Sequence, residues 1–200
     1  MYRRIKRGLD LLVAILLYAL WTPLSIVLLR IPIRLGSYGH SLLKQERVGL
    51  NGQKFTIFKL RTMYSNANEI GRANGIRSHA KPKGDDPRVT PLGKFLRKTS
   101  IDEFPQLLNI IRGEMSFIGP RPPQPHEMKE WRAMYGNLAT KRLEVLPGLT
   151  GWAQVNGRDA LTPKQRLEHD AYYVENQSFW LDLMILIKTI PTLFKWESAN

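Results

Sequence analysis

Two adjacent acids, Asp102 and Glu103, open a predicted helix in a stretch rich in cations. Arg97 and Lys98 lie just upstream, Arg112 lies one helix downstream, and Arg121 is held between Pro120 and Pro122. Acids at a helix start are common structural features, because they cap free N–H groups and complement the helix dipole. The cations give the pair a second meaning. Nearby positive charge favours the ionised carboxylate. An ionised Asp can ligate Mg2+ through oxygen, or act as a nucleophile, as in aspartyl-phosphate chemistry. Arginine presents a fork that matches phosphate oxygens, and the flanking prolines restrict backbone freedom around Arg121. Acid, Mg2+ and Arg together form a phosphoryl-transfer set. The chain has no Cys, which excludes disulfides, thiolate metal sites and cysteine nucleophiles.

These residues need elements to position them. Residues 53–63 alternate apolar and polar side chains, with β-branched and aromatic types, and follow Asn51-Gly52, so they read as a strand entered from a turn. Residues 64–90 are polar and rich in Gly and Pro, predicting a long irregular loop with a short helix near 65–72. Thr90-Pro91 starts a helix through Leu96, with Pro at its first position. Ser100 to Glu103 has the form of a capping box. The helix behind it runs to a stop at Gly113 and begins a residue or two beyond Pro105, which sits late for a first turn. Further helices are predicted near 126–143 and from Pro163 to about Val174, with a turn-rich link at 147–152. The class is helix-rich α+β.

Charge is distributed unevenly. The net value is +13, yet residues 1–98 carry nineteen basic and five acidic side chains (+14) and residues 99–200 carry eleven and twelve (−1). A basic half expects an anionic partner such as nucleic acid, an anionic membrane surface or phosphorylated small molecules. Arg3, Arg4, Lys6 and Arg7 precede an apolar run from Leu11 to Leu29, and no small-residue cleavage site follows it. As a helix this run spans about 28 Å, barely the hydrocarbon thickness. Pro23 interrupts it, beside Thr22. Basic residues on both sides fit a re-entrant hairpin, and a single-pass anchor stands as the other reading. The stretch 179–196 is apolar, punctuated by Asp182, Lys188 and Pro191, and ends in Phe194 and Trp196. It reads either as an interfacial amphipathic helix or as a core helix.

Four strings are more specific. They are Phe58-Lys59-Leu60-Arg61-Thr62-Met63; Leu96 to Asn109, containing Arg97-Lys98-Thr99-Ser100-Ile101-Asp102-Glu103-Phe104-Pro105; Arg112 to Pro122, containing Gly119-Pro120-Arg121-Pro122; and Pro147 to Arg158, containing Gly151-Trp152-Ala153-Gln154-Val155-Asn156-Gly157. In this order they closely resemble the bacterial sugar transferase family, the monotopic polyprenol-phosphate phosphoglycosyl transferases. The resemblance covers nearly the whole chain, in the small form that lacks an added block of transmembrane helices. It implies transfer of a sugar-1-phosphate from a UDP-sugar to undecaprenyl phosphate, release of UMP, and a covalent aspartyl-phosphosugar intermediate. Asp102 is then the nucleophile and an Mg2+ ligand. Glu103 is its partner through metal binding, hydrogen bonding or activation of the lipid phosphate. Thr22-Pro23 takes the place of the Ser-Pro usual at the family's helix break and keeps the hydroxyl.

The resemblance also brings forward substrate-binding residues. Lys59, Arg61, Arg97 and Arg121 are expected at phosphates of nucleotide or lipid, although a solvated surface cation is an equal reading of each one alone. Gln154, Asn156 and Arg158 follow a Gly-rich turn and are expected near uracil, ribose or sugar; otherwise the glycines merely permit turns. The expected organisation is a membrane-inserted re-entrant helix with its flank (1–47) and a catalytic domain (48–200) ending in an interfacial helix, at the cytoplasmic face of the bacterial inner membrane. The partners are membrane lipids, a UDP-sugar and undecaprenyl phosphate, with homo-oligomers open and no nucleic acid. The rival function is a non-catalytic basic adaptor for membrane or nucleic acid. It rests on the +14 half alone, since the chain shows no RNP pattern, zinc finger or helix-turn-helix motif.

Overall fold

The computed structural model describes residues 2–76, 85–157 and 160–194. Helix α1 (Tyr2–Leu28) is followed, after a turn at Leu29, by α2 (Arg30–Gly36). Helical backbone continues through Pro23. A proline there cannot donate to the Ala19 carbonyl, and the Thr22 hydroxyl donates back to the Tyr18 carbonyl at 2.5 Å; both features favour bending of a helix. Among the described residues no helix is long and apolar enough to cross a membrane.

Strand β1 (Leu42–Val48) pairs antiparallel with β2 (Lys54–Leu60), Leu42 facing Leu60 and Val48 facing Lys54. Their connection places Asn51 and Gly52 at φ 54° and 79°, the left-handed conformations that an Asn-Gly turn supplies. Helix α3 (Ala67–Ala73) follows, then α4 (Pro91–Lys98), capped by the Thr90 hydroxyl, which accepts from the Gly93 amide at 2.9 Å. A 3-10 segment (Ile101–Gln106) absorbs Pro105 and leads into α5 (Leu107–Arg112), which ends at Gly113 with φ 83°. Strand β3 (Ser116–Ile118) then pairs in parallel with β4 (Gly148–Thr150). Between them lie α6 (Pro125–Tyr135), α7 (Asn137–Lys141) and a 3-10 turn (Arg142–Glu144). The single helix expected near 126–143 is divided at Gly136, whose φ of 50° no continuous helix accommodates. Short α8 (Trp152–Val155), α9 (Pro163–Asn176) and α10 (Phe179–Phe194) complete the chain. The class is helix-rich α+β, with two small two-stranded sheets among the described residues.

The core sets the site in place. Ala14 of α1 packs with Ile57 of β2, Leu107 and Ile110 of α5, and Met115. Trp21 and Phe104 meet at 4.4 Å between ring centroids, so the acid-bearing 3-10 segment is wedged between α1 and β2. Arg7 of α1 donates to the carbonyls of Ile110 and Ile111 at 2.7 and 3.2 Å, capping the end of α5. Lys6 lies 3.1 Å from Asp182 and 3.5 Å from Asp10. The Tyr2 and Tyr173 hydroxyls donate to Asp182 at 2.5 and 2.8 Å, and Ser116 donates to Asp10 at 2.7 Å. Asp182, expected as an interruption of an apolar stretch, is 5% exposed at the centre of a network joining α1, β3, α9 and α10. The amino-terminal cations are therefore not one solvated flank. Lys6 and Arg7 bind the chain to itself.

The outward faces differ sharply. Leu9, Leu12, Leu16 and Leu20 on α1, Ile31 and Leu35 beside it, and Phe179, Trp180, Ile187 and Ile190 on α10 are exposed, Leu20 by 77% and Trp180 by 73%. Leu181 and Ile185 on the other face of α10 are buried. Helix α10 is thus both core helix and amphipathic surface helix. Trp196 lies outside the described residues.

Candidate active site

Asp102 and Glu103 sit in the first turn of the 3-10 segment, right after Ser100. Ser100 has φ 55° and ψ 16°, an uncommon left-handed conformation for a non-glycine residue. This overturns the capping-box expectation: the Ser100 side chain makes no cap hydrogen bond. Instead Glu103 reaches Lys59 of β2, with Nζ to Oε1 at 2.5 Å. The turn at Ser100 therefore directs Glu103 onto the sheet.

Asp102 is partly buried. Burial, and then repulsion from Glu103, push its carboxyl up to about 6, while Lys59 and Arg97 pull it down. The sequence reading had the cations alone in control; desolvation outweighs them. The group is still mostly ionised at neutral pH. Among the described residues no side chain closes a hydrogen bond or ion pair on Asp102. Arg97, also brought down by burial, is oriented by its Nε donating to Thr62 Oγ1 at 2.9 Å. Lys59, Arg97, Asp102 and Glu103 thus form one group.

The other predicted residues separate. Arg61 donates to the Tyr38 carbonyl at 2.8 Å and to the Ser37 carbonyl, closing the α2–β1 connection. It borders a cavity of about 220 Å3 shared with Pro32, Ile33, Met63 and Leu92. Arg121 is largely exposed, with Glu127 3.9 Å away. Arg47 connects the two areas. Burial lowers its guanidinium to about 10, Arg121 adds to that, and Glu127 and Glu103 oppose it. Asn156 donates to the Trp152 carbonyl at 2.8 Å and accepts from Lys188 at 3.1 Å. The side-chain amide of Gln154 is buried without a hydrogen-bond partner among the described residues. Trp152 stacks on Tyr172 at 5.6 Å and carries Lys188 over its ring at 4.7 Å. Arg158 lies outside the described residues. Arg47, expected as one of the basic residues flanking the apolar run, is buried instead; for Thr62 and Glu127 nothing local marks a role.

Mg2+ commonly takes one or two carboxylates and completes its shell with water and substrate phosphates. Asp102 and Glu103 are two adjacent carboxylates, Glu103 sharing an oxygen with Lys59, and among the described residues no third His, Asp or Glu gathers with them, which leaves the rest of the shell to water and substrate. The donor chemistry therefore fits the ion.

A model of the bacterial sugar transferase family matches residues 1–196. The chain belongs to the bacterial sugar transferase family. It is 42% identical over 199 residues to a UDP-glucose:undecaprenyl-phosphate glucose-1-phosphate transferase of Caulobacter vibrioides, covering 97% of this chain and 71% of that protein. An uncharacterized sugar transferase of Bacillus subtilis, EpsL, is 38% identical over 196 residues, covering 98% and 90%. An undecaprenyl-phosphate galactose phosphotransferase of Salmonella typhimurium is 36% identical over 208 residues, 98% of this chain and 42% of that longer protein.

Proposed function

We propose that the chain is a phosphoglycosyl transferase that moves a sugar-1-phosphate from a UDP-sugar to undecaprenyl phosphate and releases UMP. The observation that carries this reading is Asp102: a partly buried carboxylate just after a left-handed turn, within the electrostatic reach of Arg97 and of the Lys59–Glu103 pair. A carboxylate bound up in a salt bridge is a poor nucleophile, whereas a desolvated one near cations is available to attack. The Asp102 oxygen attacks the β-phosphorus, the bond to the bridging oxygen breaks, and UMP leaves with that oxygen. A phosphate oxygen of the lipid then attacks the phosphosugar and displaces Asp102, which regains its charge. Arg97 and Arg121 hold phosphate oxygens by their forks. Lys59 holds Glu103, and Glu103 assists Asp102 or the incoming lipid phosphate. Bound Mg2+, held by Asp102 with Glu103, would neutralise diphosphate charge. Gln154, Asn156 and Arg158 are assigned to the nucleoside or sugar.

The exposed apolar faces of α1, α2 and α10 support a lipid surface as the resting place, since water-facing apolar patches of this extent mark interaction sites. Our reading is a monotopic enzyme entered into the lipid by the apolar face of α1 near Thr22-Pro23, at the cytoplasmic face of the inner membrane. The test is UMP release by purified protein with undecaprenyl phosphate, Mg2+ and a panel of UDP-sugars. Wild type releases UMP with at least one sugar and accumulates a phosphosugar adduct on Asp102 when lipid is withheld. Normal turnover by Asp102→Asn would refute the nucleophile, and no release with any sugar would refute the activity.

A further inference from the structure

We propose that Arg47 and Arg142 are positioning residues: they clamp the loop 120–123 by its backbone and so hold Arg121 ready for a phosphate of the nucleotide-sugar diphosphate. The inference rests on the transferase reading above.

Residues 120, 122 and 123 are proline, so Arg121 alone in this loop carries a backbone N–H. The loop cannot be fixed by its own donors. Its carbonyls are fixed from outside, one after another. The Pro120 carbonyl accepts from the Gly148 amide at 2.9 Å, and the Pro123 carbonyl accepts from the Val48 amide at 3.0 Å. Between them, Arg121 accepts from Arg142 Nη2 at 2.5 Å and Pro122 from Arg47 Nη1 at 3.2 Å. Four successive carbonyls are taken, two of them by guanidinium groups.

Those two cations are unusual in their burial. Arg47 is 4% exposed and Arg142 is 3% exposed. Burying such groups is costly unless they are paired and hydrogen-bonded. Arg142 meets the equally buried Asp170 at 3.0 Å and lies over the Trp131 ring at 4.9 Å. Arg47 donates to Gln45 at 2.6 Å and lies 3.7 Å from Glu127. Arg121 is different: its side chain is 44% exposed, and the acid beside it, Glu127, is 3.9 Å away. Two buried cations thus act on backbone while the third presents its fork outward. Arg47 and Arg121 share Glu127, while Arg142 takes Asp170, on which Arg166 and His169 also act. A loop whose only role was packing would gain nothing from buried charge, because apolar residues of similar volume often stabilise as well or better.

That last point gives the test. The double variant Arg142→Met with Asp170→Leu removes both buried charges together and is expected to keep its melting temperature close to wild type. Its KM for the UDP-sugar in the UMP-release assay is expected to rise about tenfold, the scale of one charge-assisted hydrogen bond, with kcat changed less. Arg121→Met is expected to raise KM similarly, and combining it with the double variant is expected to add little, as for residues acting through one another. A stable double variant with wild-type KM, or effects that multiply with Arg121→Met, would overturn the clamp. If the double variant fails to fold, Arg47→Met, which leaves the Arg142–Asp170 pair intact, enters the same cycle under the same criteria. Titration with inorganic pyrophosphate separates the two levels. Wild-type protein that binds pyrophosphate but turns over no UDP-sugar refutes the transferase reading, and the clamp is then judged by whether the variants lose that binding. Wild-type protein that binds no pyrophosphate overturns the clamp.

Discussion

Asp102 and Asp182 are the same residue type in opposite circumstances. Asp182 is almost fully buried, yet Lys6 faces it at 3.1 Å and the Tyr2 and Tyr173 hydroxyls donate to it. Asp102 is only partly buried, but among the described residues no side chain closes on it, and its carboxyl rises to about 6. The first carboxylate is satisfied and binds four elements together. The second is desolvated with its charge less fully answered, which pushes its carboxyl up. The difference teaches that burial alone does not set a carboxylate's behaviour; the groups that answer its charge do.

The largest effect that would test this contrast is in activity. Asp102→Asn is expected to lower UMP release by about 10^4-fold or more, as loss of a nucleophile does, with membrane association unchanged. Asp182→Asn at the same purity is expected to leave turnover per folded molecule within a few-fold of wild type. A collapse of chemistry in the Asp182 variant, with its fold intact, would erase the contrast.

Stability reverses the ranking. Asp182→Ala takes from buried Lys6 the nearer of its two acids, leaving Asp10 at 3.5 Å, strips the Tyr2 and Tyr173 hydroxyls of their acceptor, and is expected to cost about 3 kcal/mol in chemical denaturation. Asp102→Asn is expected to stabilise the protein at pH 7. A carboxyl that titrates near 6 when folded and near 4 when unfolded holds its proton more tightly in the folded state. The folded state is therefore favoured at low pH and penalised as pH rises through that window, by up to about 2 kcal/mol at neutral pH. Melting curves for wild type and Asp102→Asn should converge near pH 4 and separate by pH 7. A variant no more stable than wild type at pH 7 would show that Asp102 has a partner in solution.

The smallest effect is a shift in the pH profile. Activity that needs ionised Asp102 falls as pH drops through about 6. Lys59 lowers the Asp102 carboxyl and neutralises Glu103, whose charge raises it. Lys59→Met is therefore expected to move the acid limb of kcat/KM to higher pH, by less than about one unit because the group is partly solvated. A shift to lower pH would refute the assigned geometry.

Local chemistry was legible wherever it stayed local. Thr90-Pro91 caps α4, Pro105 delays α5 to Leu107, Gly113 ends α5, and Asn51-Gly52 turns β1 into β2. Each depends on the φ of a few residues or on one side chain reaching its own backbone. Pairings between distant segments were not legible. β3 and β4 are three residues each and lie about thirty positions apart, too short to show periodicity. Lys59 and Glu103 stand 44 positions apart. Asp182 read as a break in an apolar stretch because its partners, Tyr2 and Lys6, are at the other end of the chain.

The sequence by itself determined the acid pair, the cations on either side, the Pro-Arg-Pro frame and the family, because these are strings of residue types. Only the tertiary structure decided what each charge does. It turned Ser100 left-handed and sent Glu103 to Lys59, withdrew Lys6 and Arg7 into the protein, assigned Arg61 to the carbonyls of Ser37 and Tyr38, and buried Arg47 and Arg142 behind Arg121. The physical reason is that a charge takes its role from the water it loses and the partners it gains. Both are settled by packing between segments that the order of residues leaves far apart.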